Sequence, residues 1–299
     1  MLSACARRYF YRYYGSRNGW RRDAAEANRR AYRLTQLTTL DLALGTAIHA
    51  RARELASAIV AKTPRPSYED LVARTRTELN RLWRNGRSLG AFMRDPRANP
   101  MLLDVYYERD VSPRQIERVR ARMITCNRHL SGCALWDVLE CCDSARVHVI
   151  DSPVAFAVDQ VTVWAAPDLV YTPPGGRPVI IDWKTGRVDP RVTLDQLRVY
   201  GLCVSEAFGI PAGTDGYEGR IVELSSGECW SIDLLDDDLD AARDFVLASA
   251  AKSRELLVAP DYRDPRPVEA FPLAADRATC TRCNYWELCA AELGACHGR

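Results

Sequence analysis

The first 130 residues carry apolar side chains at helical spacing. The clearest run predicts a helix over residues 40–61. Its apolar positions are Leu44, Ile48, Leu55 and Ile59. Ser67 caps a second predicted helix, and the capping box Ser112-Pro113-Arg114-Gln115 opens a third. This part of the chain is therefore predicted to be mainly helical.

The pattern changes near residue 145, where short stretches of β-branched and apolar residues replace the helical spacing. Three of these stretches predict strands: 146–150, 154–164 and 179–183. Further along, helices are predicted over 193–208 and 235–257, with a hairpin between them formed by 217–224 and 228–234. Strands that alternate with helices in this way indicate an α/β fold.

Composition is that of a globular protein with a sizeable core. The chain has 299 residues, of which 47% are hydrophobic and 27% are charged. Its longest uncharged run, 42–50, is far shorter than the about 20 apolar residues of a membrane span. No apolar signal segment is visible, and eleven cysteines without one favour a reducing compartment over a disulfide framework. We therefore expect a cytoplasmic protein with no membrane segment.

The formal net charge of +2 hides an uneven distribution. Residues 1–130 contain 26 Lys and Arg against 12 Asp and Glu, or +14, whereas residues 131–299 carry −12. Such a basic half indicates a polyanionic partner, most simply nucleic acid, or else a surface that docks on the acidic half. Residues 7–14 mix arginine with aromatic residues, which suits either a nucleic-acid face or the packing of a first helix. The arginines of this segment are Arg7, Arg8 and Arg12.

The segment IIDWKTG, residues 180–186, carries the strongest chemical signal. Alternate residues of a strand point to the same face, so Asp182 and Lys184 are predicted to project together, with Trp183 on the opposite face. A pair of this kind is either a surface ion pair or part of a reactive site. The buried character of the strand and the scarcity of lysine, three in the whole chain, favour a reactive site.

Asp168 and His49 each have a structural and a chemical interpretation. Asp168 either caps the turn after Pro167 or joins Asp182 in an oxygen site for Mg²⁺ or Mn²⁺. His49 lies in the helix 40–61, where a lone histidine is either a packed residue or a ligand.

Gln196 and Tyr200 are four residues apart and therefore share one face of the next predicted helix. Gln196 also has a purely structural interpretation, because Thr193-x-x-Gln196 matches a capping box.

Taken in chain order, these residues resemble the RecB-type branch of the PD-(D/E)XK nuclease superfamily. The matching positions are Gly45-x-x-x-His49, Asp168, Asp182-x-Lys184 and Gln196-x-x-x-Tyr200. The resemblance covers roughly residues 40–60 and 145–235. It implies a restriction-endonuclease-like α/β fold, with a mixed central sheet flanked by helices. The chain departs from the family at 165–167, Ala-Ala-Pro, where a glycine usually precedes the first aspartate.

The same resemblance implies a metal-dependent DNA nuclease. A bound Mg²⁺ or Mn²⁺ would have four ligands: His49, Asp168, Asp182 and the backbone carbonyl of Trp183. Lys184 would orient or deprotonate the attacking water, and Gln196 and Tyr200 would fix Lys184 and the adjacent phosphate. The implied catalytic set is therefore Asp168, Asp182, Lys184, Gln196 and Tyr200.

A cysteine pattern near the C-terminus adds a second resemblance. Cys280-x-x-Cys283-x5-Cys289, with Cys5 near the N-terminus, suits either zinc or an iron–sulfur cluster by ligand chemistry alone. Together with the nuclease motifs, it resembles the branch of CRISPR-associated adaptation exonucleases and the AddB nuclease domain, as does the opening segment 5–11, CARRYFY. That resemblance implies a 4Fe–4S cluster on Cys5, Cys280, Cys283 and Cys289 that joins the termini as a cap. Cys296 and His297 are substitute ligand candidates.

We therefore expect four segments. They are an N-terminal helical part of the nuclease (1–61), a helical insertion (62–140), the nuclease core (141–257) and an iron–sulfur segment (258–299). The expected activity is an exonuclease on single-stranded DNA or DNA ends, in recombination, repair or CRISPR adaptation, with a helicase or integrase as partner. Two other classes stay open: an inactive DNA-binding subunit that works through such a partner, and a zinc-stabilised DNA-binding protein.

Overall fold

The computed structural model describes residues 2, 4–259 and 264–294. Within these residues the helices are α1 (Ala6–Phe10), α2 (Glu26–Thr35), α3 (Leu40–Val60), α4 (Tyr68–Asn85), α5 (Leu89–Arg94), α6 (Leu103–Tyr106), α7 (Pro113–Ser131), α8 (Leu135–Glu140), α9 (Pro190–Phe208), α10 (Asp236–Arg254) and α11 (Trp286–Cys289). The strands are β1 (Leu37–Thr38), β2 (Met101–Leu102), β3 (Val147–Ile150), β4 (Val154–Val158), β5 (Val161–Ala165), β6 (Leu169–Tyr171), β7 (Val179–Lys184), β8 (Tyr217–Glu223) and β9 (Glu228–Leu234).

The chain divides into two units. The sheet unit comprises residues 40–79 and 112–250, and the terminal unit comprises residues 1–39, 80–111 and 251–299. Each unit buries a hydrophobic cluster of its own.

The terminal unit brings the N-terminal and C-terminal segments of the chain together. The rings of Tyr11 and Tyr285 stack with centroids 5.5 Å apart. The side-chain amide of Asn284 donates to the backbone carbonyls of Leu34 and Leu37, at 2.9 and 3.0 Å. The buried cluster of this unit consists of Leu34, Leu37, Phe92, Met101, Leu103 and Tyr285. Segments that are distant in the sequence therefore share one core here.

The sheet unit is built on a five-stranded mixed sheet with the order β3-β6-β7-β8-β9. Strands β7 and β8 are parallel, and the other neighbouring pairs are antiparallel. β7 has a partner on each side, and its residues from Val179 to Trp183 are all buried. A strand buried on both faces is a continuous apolar run rather than an alternating one, and the first three residues of β7, Val-Ile-Ile, fit this rule.

Helices cover both faces of this sheet. α9 contacts β4, β7, β8 and β9, and Leu197 of α9 belongs to the same buried cluster as Ile180 of β7. On the opposite face, Trp136 of α8 stacks on Trp183 with ring centroids 5.5 Å apart. α8 and α7 both contact α3. The observed α/β architecture, a mixed sheet flanked by helices, confirms the coarse fold prediction.

The structure corrects two details of the sequence interpretation. Residues 154–164 form two strands that pair as a hairpin, because Asp159 adopts a left-handed conformation (φ 51°) and turns the chain. α9 begins at Pro190, where the Asp189 carboxylate accepts hydrogen bonds from the amides of Arg191 and Val192. The capping box at Thr193 is therefore wrong, since Thr193 lies inside the helix.

Among the described helices, none is both long enough and apolar enough to cross a membrane.

Candidate active site

Strand β7 presents Asp182 and Lys184 on one face of the sheet, as the alternation predicted. The Lys184 ammonium lies 2.6 Å from Asp182 Oδ2. The Asp182 carboxylate is almost fully buried, whereas the Lys184 side chain is partly exposed. Trp183 points to the opposite face and packs on Trp136. The carboxylate of the pair is therefore buried, and the lysine lies on the side of solvent.

Asp168 lies where the pairing between β6 and β7 ends. The ladder pairs Leu169 with Ile181, and Asp168 is the residue before β6. Its Oδ2 accepts a hydrogen bond of 2.7 Å from the backbone N–H of Trp183. The carboxylate thus takes the place of the strand partner that β7 lacks on its β6 side beyond Ile181, while its other side stays paired with β8. This contact fixes Asp168 beside Asp182 without any contribution from the side chain of Trp183.

His49 reaches the Asp168 carboxylate from α3. Its Nδ1 lies 2.8 Å from Asp168 Oδ1. Burial acts to lower the pKa of His49, but the hydrogen bond to Asp168 and the attraction of Asp168 and Asp182 outweigh it, so the pKa is raised. Gly45, one turn earlier, faces the loop after β7, and a Cβ there would make an ordinary van der Waals contact with Thr185 Oγ1 at 3.4 Å.

Gln196 and Tyr200 continue the arrangement from α9. The Lys184 ammonium donates to Gln196 Oε1 at 2.7 Å, and Gln196 Nε2 donates to the hydroxyl of Tyr200 at 2.7 Å. Burial and the nearby Asp182 carboxylate raise the pKa of Tyr200, so its hydroxyl stays protonated. The chain of contacts holds the Lys184 side chain from two directions, by Asp182 and by Gln196.

The carboxylates of Asp168 and Asp182 lie close enough to repel each other. Burial first, and then repulsion from Asp168, raise the pKa of Asp182 to about 6, although Lys184 acts in the opposite direction. Asp182 Oδ2 is buried, and it lies in an ion pair with the Lys184 ammonium at 2.6 Å. A buried carboxylate oxygen of this kind, beside a second carboxylate, fits a hard divalent cation such as Mg²⁺ or Mn²⁺.

The histidine and the carboxylates are not arranged around a common point. Within the part of the chain that the structure describes, no three His, Cys, Asp or Glu side chains are placed to enclose one ion. The physical reason is visible at His49, whose Nδ1 is hydrogen-bonded to Asp168 rather than directed at a shared position. The donor set fits a divalent cation in its chemistry, with Asp168 and Asp182 as its anionic members.

The cysteines predicted as cluster ligands all lie in the terminal unit. Cys289 is buried, and burial raises the pKa of its thiol to about 12, with further contributions from Cys283 and Cys5. The pKa of Cys283 is raised by burial and by the nearby Cys5 and Cys280. Two of the sulfurs accept backbone N–H groups at 3.4 Å, Cys5 from Arg8 and Cys283 from Tyr285. Cys283 is therefore within electrostatic range of Cys5, Cys280 and Cys289, but no three of these thiols are placed to enclose one ion. Cys296 and His297 lie outside the described residues.

The predicted DNA-contacting arginines differ in exposure. Arg8 and Arg12 are exposed. Arg7 is only 3% exposed, and its guanidinium donates to the backbone carbonyl of Phe271 and to the Glu292 carboxylate. A guanidinium enclosed in this way is occupied by partners within the chain, so this arrangement gives no support to the prediction that Arg7 contacts DNA. Arg7 instead ties the first helix to the C-terminal segment.

The sequence interpretation missed the structural importance of Trp136 and of the Trp183 backbone. Trp136 is 1% exposed and supports β7 from behind through its stacking on Trp183. The only sequence signal for this role was the apolar segment Leu135-Trp136 after the third predicted helix.

Comparison with known proteins identifies the family of the chain. The family model of the PD-(D/E)XK nuclease superfamily matches residues 1–290, so the chain belongs to this superfamily. A search of curated proteins gives no match. Membership indicates a nuclease, a hydrolase that cuts phosphodiester bonds in DNA and belongs to a group that generally uses Mg²⁺ or Mn²⁺.

Proposed function

We propose that this protein is a metal-dependent DNA nuclease whose active site is formed by His49, Asp168, Asp182, Lys184, Gln196 and Tyr200. The observation that carries the proposal is the continuous set of contacts among these residues. It runs from His49 through Asp168 to the backbone of β7, and from Asp182 through Lys184 to Gln196 and Tyr200. A structural ion pair would explain Asp182 and Lys184 but not the second buried carboxylate beside them.

Each residue has a role that follows from its position. Asp168 and Asp182, with His49 and the carbonyl of Trp183, would hold a divalent cation, which would polarise the phosphodiester and lower the pKa of a water bound to it. Lys184, at the solvent side, orients the attacking water as an ammonium or, as the neutral amine, takes its proton, and the ammonium present in either case offsets the charge that develops on the phosphate. Gln196 and Tyr200 keep the ammonium in place and reach the adjacent phosphate.

The substrate is proposed to be single-stranded DNA or a DNA end, which the enzyme would degrade as an exonuclease. The support for this is the strongly basic composition of residues 1–130, together with exposed Arg8 and Arg12 beside aromatic residues. We propose a role in recombination, repair or CRISPR adaptation in the cytoplasm, with a helicase or an integrase as partner. Neighbouring genes would distinguish these pathways.

The nuclease proposal is tested with Asp182→Asn and Lys184→Ala, assayed on labelled single-stranded and duplex DNA with Mg²⁺ or Mn²⁺. Both variants should lose cleavage by at least about a hundredfold, the usual range for a lost proton-transfer or charge-stabilising group. Asp244→Asn, an exposed aspartate on α10, is the matched control and should cleave normally. Cleavage by Asp182→Asn at the wild-type rate, with all proteins purified identically, would refute the site.

We also propose that Cys5, Cys280, Cys283 and Cys289 hold a 4Fe–4S cluster that fastens the two ends of the chain. The support is the electrostatic influence of Cys5 and Cys280 on Cys283, that of Cys5 and Cys283 on Cys289, and the two backbone N–H donors directed at the sulfurs of Cys5 and Cys283. Buried neutral thiols would exchange their protons for iron when the cluster binds. The alternative occupant is a structural zinc ion.

Iron and labile sulfide per chain test the cluster in protein purified without oxygen. Cys5→Ala and Cys283→Ala should both give pale, iron-poor protein, because each removes one of four thiolates. Cys126→Ala and Cys203→Ala are matched controls, since both thiols are buried in the sheet unit and should leave iron unchanged. Stoichiometric zinc without iron would establish the zinc alternative. Full iron in Cys5→Ala would exclude the N-terminal ligand.

A further inference from the structure

A cavity of about 640 Å³ in the terminal unit has no role in the proposed active site. It is bounded by α2, by the loop before it and by the end of α5 with the turn that follows. Six arginines line it: Arg21, Arg22, Arg29, Arg33, Arg94 and Arg97. The one acidic residue of the lining is Asp95, whose Oδ1 accepts the Ala98 amide and so caps its own turn.

Three of the six arginines carry uncompensated charge. Arg21 pairs with Asp23 at 2.7 Å, and Glu26 pairs with both Arg33 and Arg29. Arg22, Arg94 and Arg97 form no ion pair with any carboxylate among the residues the structure describes, and all three are exposed. Three unpaired guanidiniums that line one cavity match a run of phosphates better than a single small anion.

The cavity also contains an exposed tryptophan. Trp20 is 63% exposed, and its ring meets Tyr32 edge to face, with centroids 6.1 Å apart. Met93 adds a second exposed apolar side chain to the lining. A large aromatic surface left open beside arginines is the arrangement that stacks unpaired bases in proteins that bind single strands.

The loop that carries Trp20 is held in a defined position. Asn28 Nδ2 donates to the backbone carbonyl of Gly15 at 3.0 Å, and Asn18 adopts a left-handed conformation with φ of 58°. Gly19 lies directly against α2, because a Cβ there would come within 2.2 Å of the Asn28 carbonyl oxygen. The indole is therefore presented by a fixed turn, so that stacking on it requires little ordering of the loop.

We propose that this cavity is a binding site for single-stranded DNA, in which a base stacks on Trp20 and the neighbouring phosphates contact Arg22, Arg94 and Arg97. This proposal depends on the proposed function in one respect: that the bound polymer is DNA. It adds a preference for unpaired bases, because a duplex keeps its bases stacked on each other and cannot offer one to the indole.

The test measures binding by fluorescence anisotropy in EDTA, which separates it from cleavage. The probes are a labelled oligothymidylate of about 15 nucleotides and a duplex of the same length. Trp20→Ala should weaken binding of the single strand about tenfold and leave duplex binding nearly unchanged, while Trp20→Phe should keep most of the affinity. Trp164→Ala removes a tryptophan of similar exposure (71%) from the sheet unit and should have no effect.

The arginines are tested by the dependence of binding on salt. Each phosphate contact on a single strand contributes about 0.7 to the slope of log affinity against log salt. Arg94→Gln with Arg97→Gln should therefore lower that slope by about 1.4. Lys252→Gln with Arg254→Gln removes the same charge from the last turn of α10 and should leave the slope unchanged. Thermal melting confirms that each variant is folded.

Two outcomes would overturn the proposal: wild-type affinity for the single strand in Trp20→Ala, or an equal loss for the single strand and the duplex. The second would indicate a general charge effect without base stacking. Because binding is measured without metal, a chain that fails to cleave DNA can still confirm this site. If the protein cleaves DNA normally and Trp20→Ala leaves single-strand binding unchanged, this binding site is refuted and the nuclease proposal is not.

Discussion

Replacement of Asp182 by asparagine should make the metal-free protein more stable while it abolishes cleavage. Asp182 is 2% exposed, and burial and the neighbouring Asp168 raise its pKa from 3.8 to about 6. A raised pKa means that the folded state binds the proton more tightly than the unfolded state. Stability from this group is therefore fully present below about pH 4 and is lost as the pH rises through 6.

The size of the effect on stability follows from the rise of the Asp182 pKa from 3.8 to about 6. At about 1.4 kcal/mol per unit, ionised Asp182 lowers the free energy of unfolding by about 3 kcal/mol at pH 8. Asparagine has nearly the same shape and no charge, so Asp182→Asn should recover most of this amount. For a protein of this size, that corresponds to a rise in melting temperature of several degrees.

Thermal melting in EDTA at pH 4, 6 and 8 measures the difference between Asp182→Asn and the wild type. The advantage of the variant should be small at pH 4 and grow to its full value by pH 8. Mg²⁺ should then stabilise the wild type more than the variant, because only the wild type keeps both carboxylates. Asp244→Asn should show no such pH trend. A variant that is less stable than the wild type by the same amount at every pH would refute the reasoning.

Three further predictions follow from the same geometry. Trp183→Ala should lower the free energy of unfolding by about 4 kcal/mol, because it removes a fully buried indole and its stacking on Trp136, which chemical denaturation would measure. Tyr200→Phe removes the hydroxyl that accepts Gln196 Nε2 and should reduce kcat about tenfold with little change in KM; an unchanged kcat would show that Gln196 needs no support. DNA affinity should fall at least about tenfold between about 50 and 200 mM salt, and a flat titration would exclude the basic half as the binding surface.

The sequence predicted those parts of the fold that have a local pattern. Alternation in β7 placed Asp182 and Lys184 together, and helical spacing located α3 within one residue of its observed end. β6 escaped prediction because it has three residues, all buried, and so shows no period. The turn at Asp159-Gln160 has no glycine, proline or asparagine, so the hairpin of β4 and β5 looked like one strand.

In the candidate site, too, local sequence patterns were predictable and long-range contacts were not. The residue types and their order could be read from the sequence, and their roles in catalysis stay predictions. The contact that positions Asp168 could not be predicted, because it depends on where the pairing of β6 with β7 stops. The burial of Arg7 could not be predicted either, because its partners Phe271 and Glu292 are more than 260 residues away in the sequence.

The hydrogen bond from the Trp183 amide to Asp168 also restricts how position 183 can vary through evolution. The side chain at position 183 is constrained only by its packing against Trp136. Large apolar residues could therefore replace one another there with a loss of stability alone. Its backbone N–H holds the first carboxylate of the site, and proline is the only amino acid that lacks this donor. The stability of variants with apolar residues at position 183 should therefore fall gradually with the size of the side chain. Proline should depart from this series, because it alone releases Asp168.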